Sequence, residues 1–297
     1  MTTTIAEKAV VSLMEQDSFD IRTIESKMDL AKVILTHKQD TISIFHRFGG
    51  GLYIREAHYE KQHLIVGQEH VSDHMNVLLR GSIKIVSGDG EDMVLTAPHM
   101  FLAKAGSKVG LTIEDVVWQN IYVTDSTDVE YLESTLFRTP DFFKEYTEQR
   151  ILKKHPLHQE DRDDFQCVLN ESGWTQDMVE ALSKYRGDCI PLPDGTYTIC
   201  SGPSPIEGRG MFSTAVVPKG TFLAPMRLGG MRTPAGYLVN HSKNPNCYVV
   251  KNELGDMFLV TSREIGGMVG GDLDEEITLD YRQVMQLNGM WKELENV

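Results

Sequence analysis

Apolar residues recur three and four positions apart in residues 5–17 and again in 25–36 ("ESKMDLAKVILT"), which predicts two amphipathic helices at the start of the chain. The run "FGGG" at 48–51 ends that texture, and from there to about residue 124 the spacing shortens to β-type segments. In "GSIKIVSGDGEDMVLTAP", Ile83 and Ile85 alternate with polar neighbours. Gly88-Asp89-Gly90 then turns the chain into Met93-Val94-Leu95, a hairpin pattern. Further strands are expected at 101–104, 109–113 and 116–123, with Phe101 and Trp118 as core residues. Helical spacing returns over 129–185. Its best segments are "DVEYLESTLF" and "WTQDMVEALSKY", where Trp174, Met178, Val179, Leu182 and Tyr185 share one face behind an N-cap at Thr175. "PLPDGTYTICSGPSPIEGRG" then opens a second β-rich stretch that runs to about residue 281. The expected organisation is a helical arm (1–47), a β-domain (48–128), a helical connector (129–188) and a second β-rich domain (189–297). The fold class is α+β, mainly β.

Composition narrows the classes. A chain of 297 residues with 41% hydrophobic and 24% charged residues accommodates two domains with real cores. No apolar run approaches the roughly 18 residues that span a bilayer, so no membrane association is expected. The first residues, "MTTTIAEKAVV", lack a basic n-region and a cleavable apolar stretch, which points to the cytoplasm. Cys167, Cys189, Cys200 and Cys247 are scattered without a CxxC pair and read as reduced thiols. The net charge is −14, and the one basic run, "RILKK", is followed three residues later by "HQEDRDD". Nucleic-acid binding needs cations against phosphates and is therefore not expected. A cationic partner, such as a lysine-bearing polypeptide, suits this charge better.

Three clusters in the second β-rich stretch carry candidate chemistry: "GRGMF" (208–212), "NHSKNPNC" (240–247) and "EEITLDY" (275–281). In this order and spacing they resemble the SET-domain protein methyltransferases, over about 189–285. The resemblance implies S-adenosylmethionine as cofactor, with Gly208, Arg209, Gly210, Met211, Asn240 and His241 in cofactor-binding roles. It implies a lysine-bearing protein as substrate and Tyr281 as the catalytic residue. No metal is expected at these clusters. The physics suits those roles: glycines let a ligand lie against bare main chain. A lysine amine with a pKa near 10.4 must be neutral to attack a methyl group, and lowering that value to about 8 takes roughly 3 kcal/mol of desolvation. A phenol at the channel mouth orients the nitrogen without adding charge, and alignment supplies much of the acceleration.

The sequence also departs from that family. Only about a dozen residues separate "GTFLAPM" from Asn240, where the family usually inserts a wall for the substrate groove. No cysteine follows Tyr281. A derivative without catalysis, serving as a structural or interaction protein, is the alternative expectation.

Residues 67–111, "GQEHVSDHMNVLLRGSIKIV" and "LTAPHMFLAKAGSKVGL", resemble a cupin-type jelly roll. That family holds a metal with three histidines and a glutamate. Here only His70 and His74 stand in place, four apart; no Glu falls between His74 and Gly81, and Lys108 or a neighbour replaces the last histidine. The expected role is a folded module for docking or homo-oligomerisation, without metal. A cupin-like domain joined to a short SET domain is also similar to proteins encoded by tailed bacteriophages, which would place the chain in a host cytoplasm.

Overall fold

Burial with a period of two organises the first half of the molecule. In the strand Thr41–Gly49, Ile42, Ile44, His46 and Phe48 are buried between more open neighbours; in Val116–Val123, Val116, Trp118, Asn120 and Tyr122 are. A strand with one buried face needs a second sheet to cover it. This computed structural model describes residues 7–12, 40–86, 93–138, 159–269 and 272–291.

One antiparallel sheet runs Glu7–Ser12, His63–Gly67, Val109–Thr112, Ser82–Val86, Met93–Thr96. The other runs from Thr41–Gly49 through Leu52–Tyr59, Val116–Val123 and His74–Arg80 to His99–Ala103. Ile65, Ile83 and Leu95 of the first share one core with Tyr53, Leu78 and Trp118 of the second. The result is a double-sheet β-domain. The hairpin expected around residue 89 forms, with Ile83 opposite Leu95 and Ile85 opposite Met93; its turn, 87–92, lies outside the described residues. Phe101 meets Trp118 edge-on at 6.0 Å.

Two expectations for the N-terminal arm change. Residues 7–12 are a strand paired with His63–Gly67, not part of a helix over 5–17. Pairing along an open sheet edge outweighs an apolar spacing that a helix would also satisfy, and Val10-Val11 favours extended backbone. The expected helix over 25–36 lies outside the described residues. The β-domain also begins earlier than residue 48, at Thr41.

The second half is not a separate body. The edge of Thr41–Gly49 receives Gly195–Tyr197, with Phe48 opposite Gly195 and His46 opposite Tyr197. The same edge receives Met268–Val269, with Ile42 opposite Met268. Strands from the far end of the chain thus complete the first domain's sheet, and the buried residues of both halves form one cluster.

The C-terminal residues add two small sheets. One is ordered Ile199–Pro203, Arg209–Ser213, Glu276–Leu279, Asn240–His241, and the other Met231–Arg232, Phe222–Leu228, Met257–Thr261, Cys247–Lys251. Helices Val129–Leu136, Gln159–Ser172 and Gln176–Lys184 connect the halves. Thr175 caps the last through its hydroxyl, as its position predicts. Cys200 and Cys247 are buried, and all four cysteines are free. No helix among the described residues is long and apolar enough to cross a membrane.

Candidate functional site

The three sequence clusters converge on the first C-terminal sheet. Strands Ile199–Pro203 and Arg209–Ser213 form a hairpin whose loop ends at Gly208, with φ +51°, a backbone state that glycine adopts without strain. Strand Glu276–Leu279 slots between that hairpin and Asn240–His241, and pairs with the latter in parallel. Parallel neighbours leave strand ends without a hairpin, so side chains must fix the register. The Asn246 carboxamide does so by accepting the Thr278 N–H at 2.9 Å and donating to the Glu276 carbonyl at 2.8 Å. Asn240 Nδ2 faces Glu276 Oε1 at 2.8 Å, the Glu207 carbonyl at 3.0 Å and the Arg209 carbonyl at 3.2 Å.

The six candidate cofactor residues fall into distinct settings. Gly208 has open space where a β-carbon would project. Gly210 does not: a β-carbon there would lie 2.1 Å from Glu276 Oε1, so its bare face holds a carboxylate. Arg209 pairs with Glu130 on helix Val129–Leu136 at 2.5 Å and donates to Ser201. Met211 is a core residue whose backbone is flanked by strands on both sides. Asn240 is the tie just described. His241 is buried, and its Nδ1 accepts the Tyr281 N–H at 3.2 Å while Nε2 meets Asp164 Oδ2 at 3.0 Å. An Nδ1 that accepts leaves the ring proton on Nε2, facing the carboxylate.

Tyr281 comes to the same place. Its hydroxyl donates to the Val239 carbonyl at 2.9 Å, and its ring packs edge-on against Phe165 at 5.9 Å. Burial, with Glu276 nearby, pushes the phenol up to about 12, so it is a neutral donor at ordinary pH. The phenol lines a cavity of about 140 Å³ together with Val239, Leu279, Tyr237, Val179 and Leu182. Val179 and Leu182 come from helix Gln176–Lys184. Of its expected apolar face, Met178 and Tyr185 instead remain exposed. Arg232 pins the helix's C-terminal end, donating to the carbonyls of Leu182 and Tyr185 and pairing twice with Asp188.

Sequence reasoning missed the acidic helix behind this site. Asp161 accepts from Ser242 Oγ at 2.7 Å and from the Lys243 N–H at 2.9 Å. Asp164, three residues on and so on the same face, holds both His241 and Arg282. The hydrogen bond from Arg282 keeps the Asp164 carboxyl below its usual range against the opposing effect of burial. The spacing within "QEDRDDFQ" was the available signal, but an acidic run reads first as a solvated surface.

In the β-domain, His70 and His74 do not share a strand. The chain turns between them at 71–73, and the rings stack with centroids 3.9 Å apart. His70 Nδ1 lies 2.6 Å from the Tyr122 hydroxyl, and His74 Nδ1 lies 3.0 Å from the Ser72 carbonyl. Burial lowers both histidines, His70 to about 2. Among the described residues, no three His, Cys, Asp or Glu side chains converge as a metal-ligand set. Deeper in the sandwich lies a buried network that the sequence did not announce. His46 Nδ1 meets the Tyr53 hydroxyl at 2.8 Å, Tyr53 donates to Glu133 Oε1 at 3.0 Å, and Arg55 pairs with the same oxygen at 3.2 Å.

No family model matches the chain, and neither does any curated protein sequence. Among solved structures, a cupin superfamily protein from Desulfitobacterium hafniense DCB-2 is 14% identical with a TM-score of 0.25, covering 37% of this chain and 97% of that one. A cupin-2 domain containing protein from Shewanella frigidimarina NCIMB 400 is 12% identical with a TM-score of 0.23, covering 37% and 98%. A putative ethanolamine utilization protein Q from Salmonella typhimurium LT2 is 16% identical with a TM-score of 0.22, and the match spans 25% of this chain and 59% of that one.

Proposed function

We propose that the C-terminal half is a SET-type protein-lysine methyltransferase site or a derivative of one. The observation that carries this is the Tyr281 phenol, neutral and held by the Val239 carbonyl on the wall of a cavity beside the Asn240–His241 strand. A slot lined by Val179, Leu182 and Leu279 accepts an aliphatic chain and disfavours its ammonium form. Tyr281 then orients the amine through a hydrogen bond without contributing a charge. Val179 and Leu182 of helix Gln176–Lys184 would serve as the wall that the short 226–240 segment lacks. S-adenosylmethionine would supply the methyl group, with the open backbone at Gly208 and the Asn240–His241 strand as its contacts.

The fit to that cofactor is partial. The cavity is smaller than the roughly 300–1,000 Å³ usual for small-molecule sites, and Glu276 fills the face of Gly210. These two facts favour a second reading, a non-catalytic interaction protein. The apolar Met100 and Leu102, 66% and 62% exposed on the terminal strand of the larger sheet, would then serve partner docking.

Calorimetry of the whole chain with S-adenosylmethionine separates the two, because a pure scaffold gives no heat. Labelled methyl transfer to poly-lysine and to lysate proteins is the second measurement. Tyr281→Phe is expected to keep cofactor binding and to cut transfer by at least about tenfold, the worth of one orienting hydrogen bond. Binding without any transfer in the wild type argues against catalysis and leaves a cofactor-binding derivative.

A further inference from the structure

Tyr281 is gripped by a helix that lies outside residues 189–285. Helix Gln159–Ser172 packs against helix Tyr281–Leu287. About two helical turns separate Asp164 from Glu171, so both carboxylates lie on one face. Together they take the Arg282 guanidinium. Its Nη1 donates to Asp164 Oδ2 at 2.9 Å and its Nη2 to Asp164 Oδ1 at 3.2 Å, while Nε donates to Glu171 Oε2 at 2.7 Å. Arg282 follows Tyr281 directly, so this grip fixes the main chain on one side of the phenol-bearing residue.

The grip on the other side runs through the buried ring of His241. Asp164 Oδ2 accepts the Nε2 proton at 3.0 Å, and Nδ1 of the same ring accepts the Tyr281 N–H at 3.2 Å. Arg282 keeps the Asp164 carboxyl below its usual range, so the acceptor is ionised. A hydrogen bond to an ionised group is roughly twice as strong as a neutral one, so Asp164 decides which ring nitrogen carries the proton. Without that acceptor the buried Nε2 proton has no partner, and the ring must move it to Nδ1 or turn. Either change takes the acceptor away from the Tyr281 N–H. Phe165, next to Asp164, completes the enclosure, with its ring 5.9 Å from Tyr281 and 6.2 Å from His241.

We propose that Asp164 is a positioning residue for Tyr281: through His241 and Arg282 it holds the main chain of that residue from two directions, and so aims the phenol at the cavity it shares with Val179 and Leu182. Helix Gln159–Ser172 is then part of the site rather than a tether between the halves. The chemical purpose rests on the methyl-transfer reading; the placement of Tyr281 does not.

The test is Asp164→Ala in the full chain, where Glu171 still holds Arg282. Near-ultraviolet circular dichroism checks the fold, and Asp164→Leu, which fills the space without an acceptor, takes its place if the alanine variant does not fold. Two readouts bear on placement alone. Long-range proton–nitrogen correlations from isotope-labelled histidine tell a protonated ring nitrogen from a bare one, with His241 assigned through His241→Gln. Amide exchange reports the Tyr281 N–H. The wild-type His241 pattern should be lost, and the Tyr281 amide should exchange at least about tenfold faster. Asp161→Ala removes a tie from the same helix to Ser242 and Lys243 and should change neither. The third readout is methyl transfer, where kcat should fall at least about tenfold while KM for S-adenosylmethionine stays within about twofold, as expected when only the reacting geometry is disturbed. An unchanged ring pattern and amide in the Asp164 variant overturn the proposal. So does the same change in Asp161→Ala, which would show a general loosening of the helix, or an undiminished kcat once Tyr281 has lost its tie. If the wild type transfers no methyl group, the methyl-transfer reading fails by itself, and the two placement readouts still decide whether Asp164 positions Tyr281.

Discussion

Replacing Gly210 by alanine is expected to destabilise the protein through one neighbour, Glu276. A β-carbon at 210 would lie 2.1 Å from Glu276 Oε1, 2.7 Å from its Cδ and 3.2 Å from its Cγ. Backbone on both sides is paired in strands, so the carboxylate must move. Moving it surrenders contacts of Oε1 with Ser204 Oγ at 2.9 Å and Asn240 Nδ2 at 2.8 Å, and of Oε2 with Ser204 Oγ at 2.9 Å. Hydrogen bonds to a charged acceptor contribute about 1.5–3 kcal/mol each. Asn240 keeps the Glu207 and Arg209 carbonyls, which limits the loss to about 2–4 kcal/mol. Alanine recovers about 0.5–1 kcal/mol relative to glycine in extended backbone, leaving a net cost of about 1–3.5 kcal/mol. The midpoint of urea unfolding measures it directly. In a Glu276→Ala background the obstruction is gone, and Gly210→Ala should be neutral or slightly stabilising. The cycle should therefore show a coupling of about 2 kcal/mol or more. Equal cost in both backgrounds, or no cost in the wild type, would refute the assignment of Gly210 to packing against Glu276.

Three further outcomes are expected. Burial depresses His46 to about 3, with Arg55 adding to it, and His70 to about 2, so stability is complete above the unfolded value of 6.5 and is lost as pH falls. Two such groups give a slope of about 2.7 kcal/mol per pH unit once the unfolded chain has charged both, and His70→Gln should remove about half of it in melts from pH 6 to 5. Glu133→Gln breaks a fully buried pair with Arg55 and should cost about 3–5 kcal/mol, read as a lowered unfolding midpoint with unchanged denaturant slope. A fragment of residues 189–297 should fail to fold alone, because Gly195–Tyr197 and Met268–Val269 lose the strand they pair with; sharp amide dispersion from that fragment would contradict this.

Local chemistry was legible wherever it determined the structure. The hairpin at Ile83 and Ile85, the strand over 116–123 and the Thr175 cap follow from periodicity and one hydroxyl, and each forms. Parts of the three clusters, residues 209–212, 240–241 and 276–279, also meet in one sheet, though periodicity alone did not imply it. What was hidden depends on partners distant in sequence. Residues 7–12 read as helix because their spacing allows it, and only the open edge at His63–Gly67 makes them a strand. Gly210 read as bare backbone because nothing local reveals Glu276 against it. Asp161 and Asp164 read as surface charge until Ser242 and His241 are brought to them. The sandwich boundary at 48 missed Thr41–Gly49, whose partners come from both halves of the chain.

The late arrival of Met268–Val269 at Ile42 has a consequence during synthesis. Roughly 225 residues separate the two, which a ribosome adding about 5–20 residues per second takes some 11–45 seconds to make. Throughout that interval the nascent chain carries an unfinished rim, able to zip onto any neighbouring polypeptide. Stop codons or ribosome stalling before residue 268 should therefore yield products that clump rather than a smaller working protein, and holdase chaperones are the natural guardians of that window.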